Sequence, residues 1–213
     1  MIVEPIMLDD LERDALTEIV NIGVSRAAVS LRKMIGDQVL LSVPSIEVVT
    51  QRRAVRLINE REATELVAVR QGFSGAFDGR ALLIFPEANS LDLVRAVTGD
   101  DLDGQDLLDM EREALAETGN IILNGCLATM ANMLQRSLSM TVPEVIKGSG
   151  ADLFELREGG EAPEGLVLFL YINFAIRERD IRGYIAMLMD LPSLAALKLL
   201  LGEFIERIVG EAD

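Results

Sequence analysis

The 213-residue sequence predicts an α/β (α+β) fold of two pseudo-symmetric repeats sharing one mainly antiparallel sheet. Two observations carry this. Residues 12–22, "ERDALTEIVNI", return as residues 111–121, "EREALAETGNI", with seven of eleven positions identical. The same succession of a long helix, about three strands and a closing helix then follows each copy. Three strands with one or two helices leave an apolar face that needs a partner, so the halves are expected to join in one sheet. The chain reads as a single domain, 1–213, of two repeats, about 1–100 and 101–213.

The first helix is expected from about Asp9 to Ile35. Asp9 followed by Glu12 suits a capping box, and Gly36 suits a stop. The second is expected from about Asp106 to Leu138. A Val-Pro step, "SVPSIEVV" or "TVPEVI", then opens a strand, and proline suits a strand's first residue. Apolar hairpins follow, "ELVAVRQGFSG" with "GRALLIFP" and "LVLFLYINFAI" with "RGYIAMLMDLP". Closing helices read "NSLDLVRAVTG" and "SLAALKLLLGEFIERIVG". Residues 99–105 and 157–165 read as linker and loop, and a short helix is expected around Arg53–Asn59.

Composition excludes several classes. There is no histidine and one cysteine, Cys126, which removes Ser-His-Asp triads, Cys-His dyads and the usual zinc sites. A net charge of −15 argues against a nucleic-acid surface. No signal peptide or membrane-spanning run is evident, and a cytoplasmic protein is expected. Cys126 falls on a packed stripe and reads as a buried, inert thiol. Met130, Met133, Met140, Met187 and Met189 read as core. The acidic run "GDDLDGQDLLDME" lacks EF-hand spacing and reads as a solvated turn.

At 100° per residue, Asp14, Glu18, Asn21, Ser25 and Arg32 share an arc opposite Leu16, Val20, Val24, Ala27 and Leu31. Likewise Glu113, Glu117, Asn120 and Asn124 oppose Leu115, Ile122, Cys126, Met130 and Met133. Each helix thus packs by one stripe and presents a Glu and an Asn, neighbours at i, i+3, on the other. A solvated face accounts for one such pair. Asparagine is disfavoured inside helices, so helix stability does not account for two. A carboxylate accepts from a cation or a water, and an amide both donates and accepts, so it can hold a water in one orientation. That suits hydrolysis of a phosphoryl group already activated by another protein's metal.

The pattern Asp/Ser-x3-Glu-x2-Asn-x22-Pro resembles the signature of the CheC/CheX/FliY phosphatases, which act on phosphorylated CheY, the chemotaxis response regulator. Asp14, Glu18, Asn21 and Pro44 satisfy every term. Glu113, Glu117, Asn120 and Pro143 depart only at the first. Two copies, with no added switch domain evident, resemble CheC more than CheX or FliY. The resemblance implies that Asn21 and Asn120 orient water towards the regulator's aspartyl phosphate. It implies that Glu18 and Glu117 contact a regulator lysine, with Asp14 and Glu113 at the rim. Pro44 and Pro143 would shape the helix-to-strand turn. No cofactor of the chain's own is implied, because Mg²⁺ belongs to the regulator. CheD, a receptor-modifying deamidase, is implied as a further partner. A non-catalytic adaptor for CheY or CheD, or a flagellar-switch component, are the alternatives.

Overall fold

A computed structural model of the chain describes residues 7–62, 65–98, 105–156, 165–176 and 179–212. In the first repeat come α1 (Asp10–Ile35), β1 (Val39–Ser42), β2 (Ile46–Thr50), α2 (Gln51–Asn59), β3 (Leu66–Gly75), β4 (Gly79–Pro86) and α3 (Glu87–Thr98). In the second come α4 (Gln105–Met133), β5 (Leu138–Met140), β6 (Glu144–Gly148), α5 (Gly150–Leu153), β7 (Leu166–Ile176), β8 (Arg179–Met189) and α6 (Leu191–Ala212). The expected linker and loop lie almost wholly outside the described residues, as does part of the acidic run.

The helix ends repeat. Asp9 caps α1 in the expected capping box with Glu12. Thr50 caps α2, and Ser149, its mate 99 residues on, caps α5. Gly36 closes α1 in the left-handed region at φ 73°. Its mate Gln135 takes the same conformation at φ 53°, with Arg136 N donating to Ala131 O across the turn. This closure stops α4 at Met133, short of the expected Leu138, because a left-handed residue breaks the helical ladder.

All eight strands form one antiparallel sheet in the order β1-β7-β8-β4-β3-β5, with β2 also on β7 and β6 also on β3. The halves are therefore interlocked. The first repeat's short strands pair with the second repeat's hairpin, as Val39↔Ile176 shows, and the reverse holds for Gly75↔Leu138. Each repeat gives four strands where about three were expected. The difference lies at the prolines. Pro44 and Pro143 stand just ahead of strands β2 and β6, as expected, but a further short strand precedes each, so neither shapes the helix-to-strand turn. They lie in the break between β1 and β2 and between β5 and β6. Proline has no N–H for the ladder, so pairing lapses there and resumes two residues later or sooner.

One sheet face packs on α1, α3, α4 and α6 through residues such as Val69, Phe85, Leu170 and Ile185. The other packs on α2 and α5 through Ala68, Leu82, Phe169 and Ala186. Cover on both faces explains why the hairpin strands read as continuous apolar runs. α1 and α4 lie side by side, and a Cβ on Gly23 would sit 2.9 Å from the Cα of Cys126. All five methionines named above are buried or pack against the core. No helix among the described residues is long and apolar enough to cross a membrane.

Candidate functional site

Both helices expose the arc that the sequence assigns to them. Asp14, Glu18, Glu113 and Glu117 are exposed, and Asn21 and Asn120 are half-buried at the base of the arc. Opposite them Leu16, Val20, Val24, Ala27 and Leu31 are buried, as are Leu115, Ile122, Cys126 and Met130. Because α1 and α4 are neighbours, the two Glu-x-x-Asn pairs lie on adjoining helices of one layer. Pro44 is exposed, one residue beyond the Val43 main chain that binds Asn21, and Pro143 is half-buried.

The two amides are held differently. Asn21 is clamped at both ends by the main chain of Val43: Nδ2 donates to its carbonyl at 3.0 Å, and Oδ1 accepts from its N–H at 2.9 Å. Val43 is consequently drawn in, and is 2% exposed. At the second site Oδ1 of Asn120 accepts from Asn124 Nδ2 at 2.7 Å. Among the described residues Asn120 Nδ2 makes no hydrogen bond. Val142, the mate of Val43, is 86% exposed.

The strand beneath explains the difference. Ser42 of β1 lies opposite Asn173, and its mate Thr141 lies opposite Gly72, donating its N–H to the Gly72 carbonyl. The preceding sheet positions are thus equivalent: Ile172 under the first site and Gln71 under the second. Gln71 is 2% exposed. Its Nε2 donates to the Thr141 carbonyl at 2.8 Å and to Asn124 Oδ1 at 3.1 Å. Where an isoleucine lies below, the loop's main chain takes the helix asparagine. Where a glutamine lies below, it takes the loop, and the asparagine is left with one end free.

Two other shared positions prove structural. Glu12 is buried and accepts from Lys198 at 2.7 Å. Its mate Glu111 is buried and accepts from Lys147 at 2.9 and 3.2 Å. The sequence gives no sign of Gln71 or Asn124 as site residues beyond Asn124's place on the arc. Cys126 is buried, and loss of hydration pushes its thiol up to about 12. Among the described residues no group of His, Cys, Asp or Glu is placed to hold a metal ion.

Several known proteins are similar to this chain. The model of the chemotaxis phosphatase CheX matches residues 67–161, and that of the CheC-like family matches residues 11–48. The CheY-P phosphatase CheC of Bacillus subtilis is 25% identical over 199 residues, 90% of this chain and 94% of its own length. A putative CheY-P phosphatase, CheC1 of Halobacterium salinarum, is 24% identical over 69% of this chain and 74% of its own. The flagellar motor switch phosphatase FliY of B. subtilis is 24% identical over 65% of this chain, but the match spans only 36% of FliY. Among solved structures, Thermotoga maritima FliY superposes with a TM-score of 0.71 at 15% identity, covering 96% of this chain and all of that one. A FliM middle domain from Vibrio alginolyticus shares the fold at a TM-score of 0.61 and 10% identity over 87% of this chain and 99% of its own. Two family models on separate stretches and the curated relatives agree: the chain is similar over most of its length to the CheC-type chemotaxis phosphatases, and it shares the fold of FliY.

Proposed function

We propose that this chain hydrolyses the aspartyl phosphate of a CheY-type response regulator, with a helix asparagine orienting the attacking water. The observation that carries the reading is an exposed glutamate beside a half-buried asparagine on each of two neighbouring helices. Two curated relatives bear the name CheY-P phosphatase, which supports the substrate. Glu117 accepts from a regulator lysine and fixes the approach. Asn120 then donates through Nδ2 to a water oxygen, leaving that oxygen's second lone pair facing phosphorus. The water oxygen forms the new P–O bond. The acyl-phosphate bond breaks, its electron pair stays on the regulator's aspartate, and the water's surplus proton passes to the departing inorganic phosphate. Such chemistry asks mainly for in-line placement. The Mg²⁺ that balances phosphate charge is the regulator's own.

A second reading, docking without catalysis, has one observation in its favour at the first site: Val43 already occupies both ends of the Asn21 amide. A dephosphorylation time course separates the two. Added protein is expected to speed loss of aspartyl phosphate, Asn120→Ala to remove most of the effect, and Asn21→Ala plus Asn120→Ala to abolish it. Undiminished activity in the double variant would reject catalysis by amide.

A further inference from the structure

Resting on that reading, we infer that Gln71 and Asn124 are positioning residues of the second site, a relay that holds the Asn120 amide with its N–H₂ end outward. The chain of contacts runs from the Thr141 carbonyl to Gln71 Nε2, from Gln71 Nε2 to Asn124 Oδ1, and from Asn124 Nδ2 to Asn120 Oδ1, at 2.8, 3.1 and 2.7 Å. Each amide fixes the flip of the next, because an oxygen can only accept and an N–H₂ can only donate. The orientation of Asn120 is therefore set through Asn124, its neighbour on α4, by a buried group on β3.

The fold does not require this amide. At the equivalent place in the first repeat, Ile172 is 1% exposed and fills the same layer. Gln71 also keeps Oε1 buried without a hydrogen-bond partner among the described residues, which is unfavourable in itself. An apolar residue would pack there without that penalty, so packing alone does not account for the glutamine. Helix α4 is shaped to meet it. Gly119 stands where α1 has Val20, and a Cβ there would lie 2.5 Å from Val69 of β3. Without a side chain at 119 the helix settles onto the strand, and Asn124 comes within reach of Gln71.

Replacing each relay residue by the one the first repeat uses tests this: Gln71→Ile and Asn124→Ser. The readouts are the dephosphorylation rate at saturating protein and the affinity for CheY loaded with beryllofluoride as phosphoryl mimic. Each variant is expected to lower the saturated rate at least threefold, towards the Asn120→Ala level, with affinity within twofold of the unaltered protein. Adding either to Asn120→Ala should cause no further loss, since nothing is left to position. A rate equal to that of the unaltered protein overturns the inference. So does a loss confined to affinity, or a combined variant slower than Asn120→Ala alone, which would mark general damage. Full activity in Asn120→Ala overturns it while leaving phosphatase action to the first site. No acceleration by the unaltered protein removes the function reading itself.

Discussion

Asn21→Ala and Asn120→Ala should differ sharply in stability, although the sequence presents them as the same residue twice. Asn21 makes two hydrogen bonds to the main chain of Val43, which is 2% exposed. A neutral hydrogen bond contributes about 1 kcal/mol net, and a buried group left unpaired costs about 1–3 kcal/mol. Losing both bonds thus costs about 2–4 kcal/mol. Alanine in place of asparagine inside a helix returns about 0.6 kcal/mol. The net loss for Asn21→Ala is about 1.5–3.5 kcal/mol. Asn120 makes one bond, to the half-exposed Asn124, whose freed N–H₂ can turn to water. Its loss of about 1 kcal/mol is nearly offset by the same helical gain, leaving about 0.5 kcal/mol or less. Urea unfolding followed by circular dichroism reads both. Thermal midpoints, followed by the same signal, should fall by about 3–14 °C for Asn21→Ala and by about 2 °C or less for Asn120→Ala, given roughly 2–4 °C per kcal/mol at this size. Equal destabilisation, or the larger loss at Asn120, would refute the assignment of the Val43 clamp. The outcome also governs how activity is read, because lost activity in Asn21→Ala has to be scored on folded protein.

Three further outcomes follow from single contacts. Gln135→Gly should stabilise by about 0.5–1 kcal/mol, since Gln135 holds a left-handed φ of 53° where the first repeat has glycine, and an unchanged urea midpoint would argue against that strain. Lys147→Met leaves Glu111, whose side chain is 6% exposed, without its cation; about 1–3 kcal/mol should be lost, less than for a fully buried pair because Lys147 is 46% exposed, and a neutral result in denaturant would refute the pairing. Val142→Ala should leave stability within about 0.5 kcal/mol and weaken binding of beryllofluoride-loaded CheY about fivefold by titration, as expected for apolar surface lost from a docked contact; unaltered affinity would place Val142 outside the interface.

The helices were the legible part of this chain. A capping box, a glycine stop and a 3.6-residue stripe are all local, and local chemistry is what a sequence displays. The strands were legible as elements but not as partners. Both hairpins are covered on two faces, so no alternation marked which edge each would offer, and the crossing of β1 and β2 onto β7 depends on contacts over a hundred residues apart. The short strand ahead of Pro44 is not legible, because proline at a strand's first residue and proline between two strands look alike in sequence. Gln71 was illegible as a site residue for a sharper reason. It lies 53 positions from Asn124, and its importance appears only once the sheet register sets it against Ile172.

The repeat itself mixes two kinds of identity, and the structure separates them. Glu12 and Glu111 match because each is buried against a lysine. Leu16 and Leu115 match because each is core. Those pairs have their reasons in packing. The asparagines do not share one. If the fold needed asparagine at this position, both copies would make the same bonds. Asn21 binds the Val43 main chain, whereas Asn120 leaves Val142 exposed and binds a side chain instead. The clamp accounts for one asparagine and cannot account for the other. What the two have in common is a half-buried amide beside an exposed glutamate on adjoining helices. On the proposed function, the cause of that shared pairing lies at the outer surface, where the regulator docks, and not in the interior beneath, since the two supporting networks differ.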